Sequence, residues 1–157
     1  MKYKTLMILK PECYEWHIAD DIQTMLKDHG YHIDSQKEVI IDMKVMQVFL
    51  MHYKEAIDKL GADFNFVGKL FNSYYFHGPH KINVMCISSD SELIEDTRKL
   101  IGATNPQKAE PDTIRALFSK DSMELAEKEN RLIKNCIHAS DSRQNANKEL
   151  ELWKDYL

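Results

Sequence analysis

The sequence predicts an α+β fold of the ferredoxin-like, split βαβ kind: a four-stranded antiparallel sheet with helices packed on it. Three observations carry this expectation. Four short apolar runs are spread along the chain, segments with helical spacing lie between them, and 157 residues suffice for one compact core but not for two. Residues 1–157 are therefore read as one domain.

The first run, "YKTLMILK" at 3–10, is bounded by lysines and stops at Pro11, as suits a buried strand. Residues 17–29 carry Ile18, Ile22, Met25 and Leu26 at helical spacing and end at Gly30, a natural residue just past a helix. "YHIDSQKEVII" at 31–41 reads as the second strand. Residues 42–53 and 64–74 are aromatic-rich with apolar positions at helical intervals, and predict two short helices. "KINVMCISS" at 81–89 is the third strand, with Ser89 and Glu92 as a capping box for the helix "SELIEDTRKLI", which Gly102 ends. Two prolines and little periodicity between Ala103 and Phe118 predict a long irregular loop. "SMELAEKENRLI" predicts a short polar helix in an exposed insertion over 119–132. "KNCIHAS" is the fourth strand, and "SRQNANKELELW" the last helix, with Ala146, Leu150 and Trp153 on one stripe. This order puts the helices on one face of the sheet.

Composition narrows the function classes. Apolar residues make up 43% and charged residues 29%, the balance of an ordinary soluble chain. With a net charge of -4, affinity for phosphates has to come from a local cluster of Lys and Arg, so no specific nucleic-acid partner is expected. Cys13, Cys86 and Cys136 are odd in number and far apart, which fits neither a disulfide framework nor a paired zinc motif and suggests a reducing, cytoplasmic setting. No run approaches the ~20 apolar residues of a membrane span. A G-x-x-x-x-G-K-[ST] loop is absent, which excludes P-loop chemistry. His77 and His80 in "HGPH" lack acidic or cysteine neighbours at ligand spacing and read as a turn.

One stretch carries chemistry. In "NCIHASDS", 135–142, His138 follows the apolar strand residues, and Glu149 comes seven residues after Ser142. Asn135, His138, Ser140, Asp141, Ser142 and Glu149 resemble the region around the active histidine of nucleoside diphosphate kinases, N-x-I-H-x-S-D-S then Glu. At about one in twenty per position, six fixed matches arise by chance on the order of 10⁻⁸ times per start point. "GATNPQKAEPDTIRALF", 102–118, resembles the same family's loop, "LMILKP" its first strand and lysine, and "HY" at 52–53 its cleft pair.

The resemblance implies an NTP:NDP phosphotransferase working through a phosphohistidine, with the following roles. His138 is the nucleophile, since a neutral imidazole near pH 7 offers a lone pair to a γ-phosphate. Glu149 accepts a hydrogen bond from the ring's other nitrogen, fixing the tautomer and stabilising the charged ring. Arg98 and Arg115 hold phosphates with planar forks of donors. Lys10 and Thr104 add a point charge and a hydroxyl, while Tyr53 and Asn135 complete the pocket near the transferred group and the sugar. Ser140 and Asp141 support the motif. Phe64 or Phe66 would stack on the base, a contact that tolerates every nucleobase. Mg²⁺ would arrive with the nucleotide, bridging β- and γ-oxygens, with no protein-held metal.

The chain also departs from the family. "KPECYEW" places Glu12 and Cys13 where a turn aspartate and glycine are usual. Asp112 and Ala139 stand for glycines and Ala116–Leu117 for Gly-Asp, exchanges that could alter the backbone. Phe118 and Asn135 are separated by roughly ten more residues than usual, in a region where family members meet other subunits. A homo-oligomer is expected, as dimer, tetramer or hexamer. The alternative function is a catalytically weak, nucleotide-binding or regulatory relative.

Overall fold

The structure, a computed structural model, describes residues 3–157. Its sheet has the order β2-β3-β1-β4, with every pairing antiparallel. β1 (Tyr3–Leu9) pairs with β3 (Lys81–Ser89) from Tyr3↔Ser89 to Leu9↔Asn83. On its other side it pairs with β4 (Ile137–Ala139), where Ile8 faces His138. β2 (His32–Ile40) lies outside β3, with a register shift between Ile33 and Ser35. The predicted α+β class is what forms.

The side-chain alternation of β1 decides where the helices go. Leu6 and Ile8 project to one face, where they meet Ile82 and Val84 together with α3 (Met43–His52), α5 (Phe66–Tyr74) and Trp153, which follows α9 (Arg143–Leu152). Met7 and Leu9 project to the other, against Met85, Ile87, α2 (Ala19–Asp28), α6 (Ile94–Ile101) and Ile114, the first residue of α7 (Ile114–Phe118). Helices therefore cover both faces, which corrects the one-face expectation. A continuous apolar run such as residues 6–9 is what a strand buried on both sides requires. Among the described residues no helix is long and apolar enough to cross a membrane.

Two helices lie outside the sequence expectation, α1 (Glu12–Glu15) and α4 (Lys54–Phe64). α4 buries none of its residues although Ile57, Leu60 and Phe64 recur at helical spacing, and it bends at Gly61, where φ is 74°. The expected loop at 103–118 is likewise shorter than predicted. It holds a 3-10 turn at Pro106–Lys108 and α7, whose first turn Thr113 caps by accepting from the Ala116 N–H at 3.3 Å. Gly102 makes this possible: its φ is 96°, and a Cβ there would stand 2.5 Å from Thr113 Oγ1. The Ser89–Glu92 capping box does not form, because Ser89 stays in β3. Instead Glu92 Oε1 accepts directly from the Ile94 N–H at 3.0 Å.

The insertion at 119–132 is anchored rather than freely exposed. Its short helix α8 (Met123–Lys128) is capped by Ser122 and buries Ala126. Asp121, 6% exposed, accepts two parallel bonds from Arg131 at 2.7 and 3.0 Å and a third from the Lys134 N–H at 2.7 Å. The Leu132 N–H donates to Ser73 Oγ on α5 at 2.9 Å. Burial alone would raise the Asp121 carboxyl, but the Arg131 fork and the Lys134 and Ser122 amides outweigh it and hold it below the usual range. Asp121→Asn leaves Arg131 with only the half-exposed Glu129 as a charge partner and should cost about 3 kcal/mol at pH 7. A carboxyl held low in the fold stabilises above its unfolded pKa of about 4 and loses that contribution as pH falls through the folded value. Urea unfolding should therefore give stabilities for the two proteins that converge as pH drops below about 4, and a gap independent of pH would contradict the role given to the pair.

Candidate active site

His138 stands opposite Ile8 on β4, so its side chain shares the face covered by α3 and α9. Ser142 caps α9 by accepting from the Asn145 N–H at 3.0 Å, and the helix then carries Glu149 back over the strand. His138 Nε2 lies 2.7 Å from Glu149 Oε1, and Ser140 Oγ donates to the same oxygen at 2.9 Å. A carboxylate only accepts, so Nε2 carries the proton and the neutral ring keeps its lone pair on Nδ1. Both side chains are partly exposed, 19% and 13%, on the wall of a cleft of about 980 Å³.

Beside them His52 closes a trio whose ligand atoms lie within 4.8 Å of one another, the one such group among the described residues. Its chemistry does not suit a resident metal. Trp153 Nε1–H donates to His52 Nδ1 at 3.0 Å, and an indole can only donate. Neutral His52 therefore carries its hydrogen on Nε2, the nitrogen that faces Glu149 at 3.9 Å, where a metal would need a lone pair.

The cleft gathers several of the predicted residues: Tyr53, Arg98, Thr104, Arg115 and Asp141 all line it with His138 and Glu149. Arg98 is exposed on α6. Arg115 is a strut as well as a charge: its three guanidinium nitrogens donate to the carbonyls of Asn135 at 3.3 Å, Gly102 at 3.1 Å and Ile137 at 2.7 Å. Burial pulls it down to about 10, still far enough above neutrality to remain charged. Tyr53 stacks on Phe49 with centroids 6.1 Å apart, and burial pushes its hydroxyl up to about 12, so it stays a donor.

Other predicted residues sit behind or beyond the cleft. Lys10 Nζ donates to Asn135 Oδ1 at 2.8 Å, and Asn135 Nδ2 to the Thr104 carbonyl at 2.9 Å, so both buried side chains brace the wall from behind. Ser140 is buried at the foot of Glu149. Neither Phe64 nor Phe66 lines the cleft. Phe64 lies under the Lys69 ammonium, 3.8 Å from its ring centre, and Phe66 packs on Tyr53 at 5.2 Å. On the α4 side Glu55, Ala56 and Lys59 stand on the wall instead.

Sequence reasoning missed how the strand before His138 is held. Cys136 adopts φ 75°, a conformation costing about 1–3 kcal/mol in a non-glycine residue. Its N–H donates to Glu12 Oε2 at 2.9 Å, and its carbonyl accepts from the Lys10 N–H at 2.9 Å and from Cys13 Sγ at 3.0 Å. The two residues that depart from the family turn thus clamp this peptide. Burial raises the Glu12 carboxyl and lowers the Lys10 ammonium, each partly offset by the charge of the other. None of the other replaced positions, Asp112, Ala116, Leu117 and Ala139, takes a positive φ.

Comparison with known proteins identifies the family. The family model for nucleoside diphosphate kinase matches residues 3–155. The nucleoside diphosphate kinase of Pyrobaculum aerophilum is 32% identical over 174 aligned residues, covering 96% of this chain and 93% of its own. That of Streptococcus uberis is 31% identical, covering 98% and 95%. Among solved structures, the nucleoside-diphosphate kinase of Borrelia burgdorferi, a transition state mimic with bound vanadate and ADP, superposes with a TM-score of 0.82 at 28% identity, covering 96% of this chain and 86% of that one. An NDP kinase from Pyrobaculum aerophilum gives 0.75 at 30% identity, covering 98% of each chain. With nearly its whole length matched, the chain belongs to the nucleoside diphosphate kinase family.

Proposed function

We propose that this protein is an active nucleoside diphosphate kinase that moves the γ-phosphoryl group of an NTP to an NDP in two half-reactions through His138. The observation that carries the reading is the 2.7 Å bond between His138 Nε2 and Glu149, which leaves the lone pair on Nδ1 at the cleft wall. In the first half-reaction that lone pair attacks the γ-phosphorus, an N–P bond forms, the bond to the β-phosphate oxygen breaks, and NDP leaves with the electron pair. Positive charge grows on the ring, and Glu149 offsets it through Nε2–H. In the second, a terminal phosphate oxygen of the acceptor NDP attacks the same phosphorus and the ring leaves as a neutral imidazole. Arg98 and Arg115 bind phosphoryl oxygens, and Thr104 and the Tyr53 hydroxyl add hydrogen bonds. Lys10 and Asn135 keep the wall in register through Thr104. Mg²⁺ would enter as part of the nucleotide substrate and would offset the charge of its phosphates. A homo-oligomer, dimeric, tetrameric or hexameric, and a cytoplasmic setting for the three buried free thiols belong to the same reading. The absence of Phe64 and Phe66 from the cleft favours the weaker alternative, a nucleotide-binding relative with little transfer activity, and the same assay separates the two.

Incubation with MgATP and no acceptor should leave one phosphoryl group per chain, labile in acid, stable in alkali and discharged by NDP. His138→Ala should abolish labelling, and Glu149→Gln should slow transfer roughly 10- to 100-fold without abolishing it. Undiminished transfer by His138→Ala would overturn the nucleophile assignment, and binding without transfer by the native chain would select the alternative.

Base tolerance is expected because the wall near α4 offers the base Ala56 and the Lys59 stem. GDP, UDP, CDP and dTDP should differ as acceptors by well under about a thousandfold. A larger preference would require buried hydrogen bonds to one base edge.

A further inference from the structure

Glu149 Oε1 already takes hydrogen bonds from His138 and Ser140, and a second imidazole, His52, faces it at 3.9 Å. Were His52 a cation, it would compete with His138 for this carboxylate and repel the charge that grows on His138, whose ring centre is 4.5 Å away. The groups around His52 pose the problem in full. They are Glu149 from α9, His138 from β4, Tyr53 with its ring 4.7 Å away, and the uncharged Phe49 and Trp153. The His52 side chain is 1% exposed although the residue borders the cleft.

We propose that Trp153 holds His52 as a neutral imidazole protonated on Nε2, making His52 a positioning residue that leaves the Glu149 charge to His138. The lever is geometric. A second proton on His52 has to go on Nδ1, and that nitrogen is met head-on by the Trp153 Nε1–H at 3.0 Å, so charging the ring breaks this bond and sets two donors against each other. Trp153 is itself fully buried between Phe49 and Tyr156 and has little room to turn away. Burial, and then the neighbouring His138, push His52 in the same direction, well below the ordinary histidine range. The fixed tautomer also aims the Nε2–H at the carboxylate, where a small shift of Glu149 during phosphorylation would meet a third donor.

The inference rests on His138 as nucleophile, and its test is separable from that reading. In ¹⁵N-histidine NMR of the native chain, with His52→Gln to identify the signal, His52 should show an unprotonated Nδ1 and a protonated Nε2 from pH 8 to pH 5.5. Titration of His52 to a cation in that range, or the Nδ1–H tautomer, would overturn the proposal whatever the enzyme does. Trp153→Phe removes the donor and leaves only burial and His138 to hold His52 neutral. The acidic limb of its kcat–pH profile should then move up by about one pH unit, and return in Trp153→Phe/His52→Gln, where nothing titrates at that position. An unmoved limb in a folded Trp153→Phe protein, or a shift that persists in the double variant, would reduce the Trp153–His52 bond to packing. If Trp153→Phe does not fold, the NMR result on the native chain decides alone. Failure of His138 to take up phosphate, with the His52 tautomer as described, would sink the kinase reading and leave the tautomer assignment standing.

Discussion

The Glu149 carboxylate is the point on which this architecture turns. One of its oxygens accepts from His138 at 2.7 Å and from Ser140 at 2.9 Å, so a side chain on the last helix fixes the ring orientation of a side chain on the fourth strand. For that to happen β4 must pair with β1 so that His138 shares a face with Ile8, and α9 must start at Ser142 and lie across the same face. The sheet order and the second apolar layer, with Phe49 and Trp153 at its centre, follow from the same requirement. The bond also leaves only Nδ1 of His138 with a lone pair, because it occupies Nε2.

Precision at His138 depends on the peptide two residues before it. Cys136 is held at φ 75° by bonds at both ends of its backbone, from Glu12, the Lys10 amide and Cys13. Arg115 ties the carbonyls on either side of it, those of Asn135 and Ile137, to Gly102. Strain of this size persists only where the surroundings over-determine the backbone. Here three elements converge on one peptide. The guanidinium that lines the cleft therefore also fixes the shape of the strand carrying His138.

Legibility in the sequence tracked the physical cause of each feature. β3 could be read to its end residues because "KINVMCISS" is a continuous apolar run closed by serines and preceded by Gly-Pro. α4 could not, although Ile57, Leu60 and Phe64 recur at helical spacing, since Gly61 interrupts the segment after Leu60. The one-face layout failed because an apolar run signals burial on two sides, and the alternation of Leu6 and Ile8 against Met7 and Leu9 carried that information. At the site, His138 and Glu149 were legible from motif spacing, and Arg98, Thr104 and Arg115 arrived at the cleft as expected. Phe64 and Phe66 do not line the cleft, and their spacing along the chain says little about where they lie. The bond from Trp153 to His52 joins residues 101 positions apart and has no sequence signature.

The most direct measurement of the central claim is the regiochemistry of the phosphorylated protein. ³¹P–¹⁵N coupling in a chain labelled with ¹⁵N-histidine and charged with MgATP identifies which ring nitrogen of which histidine bears the phosphorus. The account predicts a single adduct on Nδ1 of His138, with Nε2 still protonated against Glu149. Phosphorus on Nε2 of His138, or on any other residue, would contradict it.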